Sequence, residues 1–255
     1  KKQVDDWALT FLAKYNLTDY LLQSKFLTAP GYQVDKLPEL AYYQVGTSLW
    51  GDRLTYFTEN RASWMRLRFG TDSPDSLGFT DRWARTLFGF PNNDVEFESA
   101  AAAAGYPLGW RGRLDSRHEL NAPMKFGFLN VTPFVAGRIT AYDNDFQGYN
   151  GSSSDDQVRL WGQVGTRLHT QFSNVYDVEN RLLDVYQIRH IFEPHAEVFW
   201  SDTNLDKSQL PIYDPEVEGI NTGAGFRVGA INTFQTKRGG PGRWRSVDWL
   251  TIQND

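Results

Sequence analysis

Between Gln157 and Phe172 polar and apolar positions alternate without a break of phase. The odd positions read Gln157, Arg159, Trp161, Gln163, Gly165, Arg167, His169, Gln171, and the even ones Val158, Leu160, Gly162, Val164, Thr166, Leu168, Thr170, Phe172. A helix repeats every 3.6 residues, so a two-residue period predicts a strand with one polar and one apolar face. The period recurs in Trp110–Leu120, where Arg111, Arg113, Asp115, Arg117 and Glu119 alternate with Trp110, Gly112, Leu114, Ser116, His118 and Leu120. In Tyr186–Trp200 the even face carries Tyr186, Ile188, His190, Phe192, Pro194, Ala196, Val198 and Trp200, against Arg189, Glu193, His195 and Glu197 among the odd positions.

Less regular alternation predicts further strands at Trp7–Asn16, Leu40–Trp50, Arg53–Phe69, Lys125–Tyr142, Thr222–Thr236 and Trp244–Gln253. Gly51-Asp52 reads as a two-residue hairpin turn between the second and third of these. Polar segments rich in Gly, Asn, Asp and Ser predict loops at Thr71–Ser76, Pro91–Asp94, Asp143–Asp156, Ser201–Ser208 and Lys237–Arg243. Short helices are predicted at Asp81–Leu87 and in the alanine run Ala100–Ala104. No tandem repeat or interdomain linker stands out. The expected fold class is all-β and antiparallel, with roughly ten or eleven strands.

Strand length narrows the class. Many of these segments exceed the mode of about 5–6 residues in globular proteins and reach the roughly 9–11 tilted residues that cross a bilayer. A soluble sandwich also alternates, but an unbroken charged face such as Arg111 to Glu119 is unusual on one. The two architectures left open are a membrane β-barrel and a soluble sandwich or propeller.

Composition sharpens this only in part. The 255 residues include 9 Trp, 12 Tyr and 17 Phe, which suits strands and the aromatic girdles of a barrel. Mean hydropathy is −0.51, and no apolar run approaches the roughly 20 residues of a membrane helix. A net charge of −5 without a basic stripe argues against nucleic acid as a partner. With no cysteine, thiolate chemistry and disulfides are excluded. The opening Lys1-Lys2-Gln3-Val4-Asp5-Asp6-Trp7 lacks the apolar stretch of a signal peptide, which fits a mature chain, a trimmed one or a segment of a longer one.

Three stretches carry a family resemblance. KLPELAYYQVG, Lys36–Gly46, is similar to the entry into an early barrel strand of the lipopolysaccharide-assembly outer-membrane proteins, also called organic-solvent-tolerance proteins. GRLDSRHELNAPMKFGFLNVTPFVAGRITAYD, Gly112–Asp143, and IRHIFEPHAEVFWSDTNLDKSQLPIYD, Ile188–Asp214, resemble two further blocks of that family. Gly219–Gly239 agrees more loosely with the strand that follows. The likeness runs from about residue 36 to 255, without the family's periplasmic N-terminal β-domain or its characteristic cysteines. The expectation is that residues 1–255 form part of a single transmembrane β-barrel domain, either a segment or a shortened barrel.

What the resemblance implies is an outer-membrane translocon with no cofactor and no catalysis. Its partners would be lipopolysaccharide, a plug lipoprotein, the periplasmic bridge of the export system and outer-membrane lipid. The polar lumen would be lined by Arg111, Arg113, Asp115, Arg117, Glu119, Arg159, Gln163, Arg167, His169, Arg189, Glu193, His195 and Glu197. The arginines either contact phosphates or sugar carboxylates or pair with acids on adjacent strands. Proline gives no N–H to a ladder, so Pro123, Pro133 and Pro194 are candidate weak points for a lateral seam.

Other chemistries are poorly supported. Glu193, His195 and Glu197 share a strand face with no metal motif. Asp143, Asp145 and Gly148 echo a calcium loop, but Gln147 and Ser154 stand where ligands belong. Lys237-Arg238-Gly239-Gly240 is no phosphate loop, and no Gly-x-Ser-x-Gly occurs. The rival reading is a secreted β-sandwich that binds or cleaves carbohydrate, with Glu193 and Glu197 as its acid pair. The orientation of Val158, Leu160, Val164, Leu168 and Phe172 discriminates between them.

Overall fold

A computed structural model describes residues 2–17, 32–152, 157–240 and 242–254; Ser154 and the end of the Asp143–Asp156 loop fall outside the described residues. The chain forms β1 (Lys2–Val4), β2 (Trp7–Lys14), β3 (Gln33–Leu49) and β4 (Leu54–Arg68), followed by the short helices α1 (Asp81–Trp83), continued by a π-turn to Phe88, and α2 (Phe97–Ala103). Then come β5 (Arg111–Asn121), β6 (Met124–Phe126), β7 (Leu129–Tyr142), β8 (Val158–Thr170), β9 (Phe172–Asn180), β10 (Val185–Thr203), β11 (Gly223–Arg238) and β12 (Arg245–Asn254). Both predicted helices are present, the second starting three residues earlier than the alanine run.

All strands join one twelve-stranded antiparallel sheet in the order β1-β2-β3-β4-β5-β7-β8-β10-β11-β12, with β6 paired to β7 and β9 to β10. The sheet does not close: β1 and β12 are its edges. The all-β class and the long alternating strands therefore stand, whereas these strands do not complete a barrel. Sequence reasoning missed β9, whose Ser173, Asn174, Asp177, Glu179 and Asn180 resemble a loop in composition; both its faces are exposed, so no burial pattern marks it. The segments Ser201–Thr203 and Lys237–Arg238, read as loop, extend β10 and β11 because neighbouring strands complete their hydrogen bonding. The β3–β4 connection is Trp50–Arg53 rather than two residues, and it runs through left-handed Trp50, Gly51 and Asp52.

The connections differ by end. Short turns join β1–β2, β3–β4, β5–β6, β6–β7, β9–β10 and β11–β12, while the long segments 69–110, 143–152 and 204–222 gather at the other end. Barrels of bacterial outer membranes share this asymmetry. The long segments pack over one face of the sheet, where Met65, Leu67, Tyr142, Phe146, Tyr149, Leu205, Leu210 and Tyr213 form a buried cluster. Burial of these aromatic and aliphatic groups is what holds the segments down.

The two faces are inverted relative to a soluble sheet. On β5, Arg113, Asp115 and Glu119 are buried on the covered face while Leu114 is 64% exposed on the other. The uncovered face continues across Val135, Ile139, Leu160, Val164, Val198, Phe226 and Val228, all exposed. Val158 and Phe172 are exposed as well, and Leu168 is half-buried. No second sheet covers them among the described residues, which removes the packing a sandwich requires.

Candidate functional site

Strand alternation places most polar side chains of the covered face, and a bulge places the rest. Between Lys36 and Glu39 the register of β3 shifts by one residue. Simple alternation would send these two positions to opposite faces, but the shift turns both inward. There Lys36 Nζ donates to Glu39 Oε2 at 3.0 Å.

Arg113 occupies the centre of the site. Its Nη2 donates to Asp214 Oδ2 at 2.5 Å and its Nη1 to Glu218 Oε1 at 2.8 Å. Lys36 Nζ reaches Asp214 Oδ1 at 2.6 Å. Glu218 also accepts from the Tyr142 hydroxyl at 2.9 Å, and its Oε2 accepts from the Asp214 backbone N–H at 2.6 Å. From β8, Arg159 donates to the carbonyls of Val217 at 2.6 Å, Leu205 at 3.2 Å and Ile220. From β7, Arg138 donates to the carbonyl of Glu216. Cations from β3, β5, β7 and β8 thus clasp the segment 204–222 against the covered face.

Away from the clasp, the ion pairing continues along the strands. Arg138 lies 3.3 Å from Asp115 and 3.4 Å from Glu59, which also pairs with Arg61. Thr140 donates to Asp115 at 2.7 Å. Glu119 accepts from Arg117 and, at 2.9 Å, from Arg167; Arg167 also lies 3.4 Å from Glu197. The Arg167 guanidinium sits 3.9 Å above the Phe134 ring, a cation–π contact.

Desolvation of this depth is tolerated only when charges are matched. Burial pushes the Asp214 carboxyl up, but Arg113 and Lys36 outweigh it and hold the group below the usual carboxylate range. Burial is the main cause that drives the neighbouring Tyr213 phenol upward, with Glu218 and Asp143 adding to it and Arg111 opposing. Asp206, near the start of the segment, is lowered chiefly by the Ser208 N–H.

Of the residues singled out from sequence, Arg113, Asp115, Arg117, Glu119, Arg159, Arg167 and Glu197 enter this network. Arg111 lies near Tyr213 at the long-segment end. Gln163, His169, Arg189, Glu193 and His195 share the covered face but stand outside the clasp. Among the described residues no three acids or histidines are grouped as metal ligands.

The prolines are scattered. Pro123 lies in the β5–β6 turn. Pro133 faces the β5–β6 junction, where its carbonyl accepts from Ala122 N–H at 2.9 Å. Pro194 pairs with Ala230 on one side and on the other faces the break between β8 and β9. None lies on β1 or β12, the edges of the sheet.

Lys36, Glu39, Glu59, Arg61, Arg138, Asp214 and Glu218 were not singled out beforehand. Arg138 and Glu59 could have been found from the phase of their own strands. Asp214 and Glu218 carry no period, and their shared cationic partner Arg113 is more than a hundred residues away.

Polar groups packed under loops, apolar groups left outside and the asymmetry of turns together define a protein built of barrel-type antiparallel strands. A family model described as LPS transport system D matches residues 13–226 of the 255, and the chain belongs to that family. No curated protein matches it. The matched region begins upstream of Lys36 and stops within β11, so the loose likeness of the tail lies partly beyond it. The family is one of transport components, and it connects the chain with lipopolysaccharide transport and assembly.

Proposed function

We propose that this chain is part of the barrel wall of an outer-membrane translocon that delivers lipopolysaccharide to the outer leaflet. The observation that carries the reading is the inversion of the sheet, with Arg113, Asp115, Arg138 and Arg159 buried on one face and Leu114, Ile139, Leu160 and Val164 exposed on the other. Such a strand divides two solvents, hydrocarbon outside and water inside. Arg113 Nε, Asp115 Oδ2 and Trp161 Nε1, buried without a protein partner, suit a hydrated interior, because ordered water satisfies groups of this kind.

In this reading the sugar and phosphates of the lipid travel along the charged face while its acyl chains leave through a weakened strand pairing. The clasped segment 204–222 stands inside the passage at the long-segment end. Pro123, Pro133 and Pro194, which give no N–H to the ladder, are the candidate places where this chain supports a lateral seam, Pro194 facing the break between β8 and β9. A plug lipoprotein and the periplasmic bridge complete the machine as partners.

The absence of cysteine provides the test. Single cysteines are introduced from Gln157 to Phe172 in the full-length protein in membranes, spin-labelled, and probed with oxygen and with a water-soluble paramagnet. Oxygen access should peak at even positions and aqueous access at odd ones. Low oxygen access throughout, with protein in the soluble fraction, would overturn the proposal.

A further inference from the structure

One row of the uncovered face runs Leu40, Ala62, Leu114, Ala141 across β3, β4, β5 and β7, alternating large and small side chains. The two alanines leave a furrow, seen as contiguous apolar hollows of about 400 and 450 Å³ walled by Leu40, Trp64, Leu114 and Ile139. Toward the long-segment end the Trp64 ring lies against Gly112, where a Cβ would come within 2.9 Å of it, so the indole walls the furrow there.

Toward the short-turn end, β4 and β5 carry polar residues over the next rows, Asn60 opposite Ser116 and Thr58 opposite His118, although they face the same way. Ser116 Oγ donates to Asn60 Oδ1 at 2.6 Å and meets His118 Nε2 at 2.9 Å, and His118 Nδ1 meets the Tyr56 hydroxyl at 2.6 Å. Asn60 Nδ2 donates onward to Thr58 Oγ1 at 3.0 Å, and Thr58 donates to the Arg117 carbonyl at 2.9 Å. Since Ser116 spends its proton on Asn60, the tautomer that satisfies the chain has His118 donating from Nε2 and accepting from Tyr56 at Nδ1. This preorganised polar chain leaves Asn60 one N–H to give outward.

An apolar furrow capped at one end by hydrogen-bonding groups matches an amphiphile with its polar end toward the short turns. In outer-membrane barrels the short turns face the periplasm. We propose that the furrow binds one acyl chain of a glycerophospholipid of the periplasmic leaflet, with its ester and headgroup region against Asn60, Ser116, His118 and Tyr56. This rests on the membrane reading above and adds a retained lipid to it. Lipopolysaccharide, whose polar end would face the long segments, would enter in the opposite sense.

The test uses the full-length protein in vesicles of phosphatidylethanolamine and phosphatidylglycerol doped with phosphatidylethanolamine carrying a photoreactive acyl chain. Adducts are mapped by mass spectrometry after digestion. Adducts on the peptides containing Leu40, Ala62 to Trp64 and Leu114 should exceed those at Val164 and Val198 several-fold. A62F or A141F, each filling the furrow, should abolish the excess while labelling at Val164 persists. N60L combined with H118L should reduce the excess with the furrow intact.

Equal labelling over the whole face, or an excess unchanged by A62F and A141F, would overturn the site. So would an excess seen only with photoreactive lipopolysaccharide. Absence of labelling at Val164 and Val198 as well would instead bring down the membrane reading itself.

Discussion

Arg113 and Glu218, 105 residues apart in sequence, meet at 2.8 Å with neither side chain exposed to solvent. The pair fastens a segment that carries no regular period to the centre of a strand whose period is among the clearest in the chain. Glu218 is matched on both oxygens, and Arg113 divides its guanidinium between Glu218 and Asp214.

Removing one partner alone leaves buried charge uncompensated. Arg113→Ala is expected to destabilise the folded state by about 3–5 kcal/mol. Combining Arg113→Met with Asp214→Asn and Glu218→Gln should recover most of that loss, because no orphan charge remains. Urea unfolding in detergent micelles measures both; a triple variant no better than Arg113→Ala would refute the ion-pair account.

The same clasp has a defined pH window. Asp214 is held below its unfolded value of about 3.9, so its contribution is present above that pH and lost as pH falls through the lower folded value. Anchoring of the segment should therefore be flat from neutral pH to about pH 5 and weaken below about pH 4. Limited proteolysis within residues 204–222 as a function of pH reads this directly. Asp214→Asn should remove most of the acid dependence.

Neighbouring residues on β8 should tolerate charge very differently. Val164 faces outward and is exposed, whereas Gln163 points to the covered face. In a bilayer, Val164→Arg should cost about 2–4 kcal/mol if it lies near the midplane, with Gln163→Arg close to neutral. Folding yield into lipid vesicles compares the two. Equal penalties would contradict the division of solvents.

Gly165 is required by close packing. A Cβ there would lie 2.6 Å from the Phe134 ring and 2.6 Å from the Val198 carbonyl oxygen. Phe134 in turn lies under the Arg167 guanidinium. Gly165→Ala should destabilise by about 1–3 kcal/mol, as overpacking does. Gly137, with open space around it, should accept alanine far more readily, and thermal unfolding of the two variants is the comparison.

Much of the fold was legible locally because a strand writes its two environments into successive residues. Arg111 to Glu119 declared a charged face before any partner was known, and β5, β7, β8, β10 and β11 appear close to where the alternation places them. β9 was illegible because both its faces are exposed and no environment selects its side chains. The bulge that turns Lys36 and Glu39 to one face was equally hidden, since it breaks the period on which the reading depends.

By itself, the sequence determined the all-β class, the strand phases and the family to which the chain belongs. Only the tertiary structure decided which face the long segments cover, that Asp214 and Glu218 enter the arginine network, that the sheet stays open, and that alanines and polar residues adjoin in rows across the other face. The division has one physical cause. Periodicity records the solvent on each side of a strand, whereas ion pairs and furrows depend on register between strands distant in the chain.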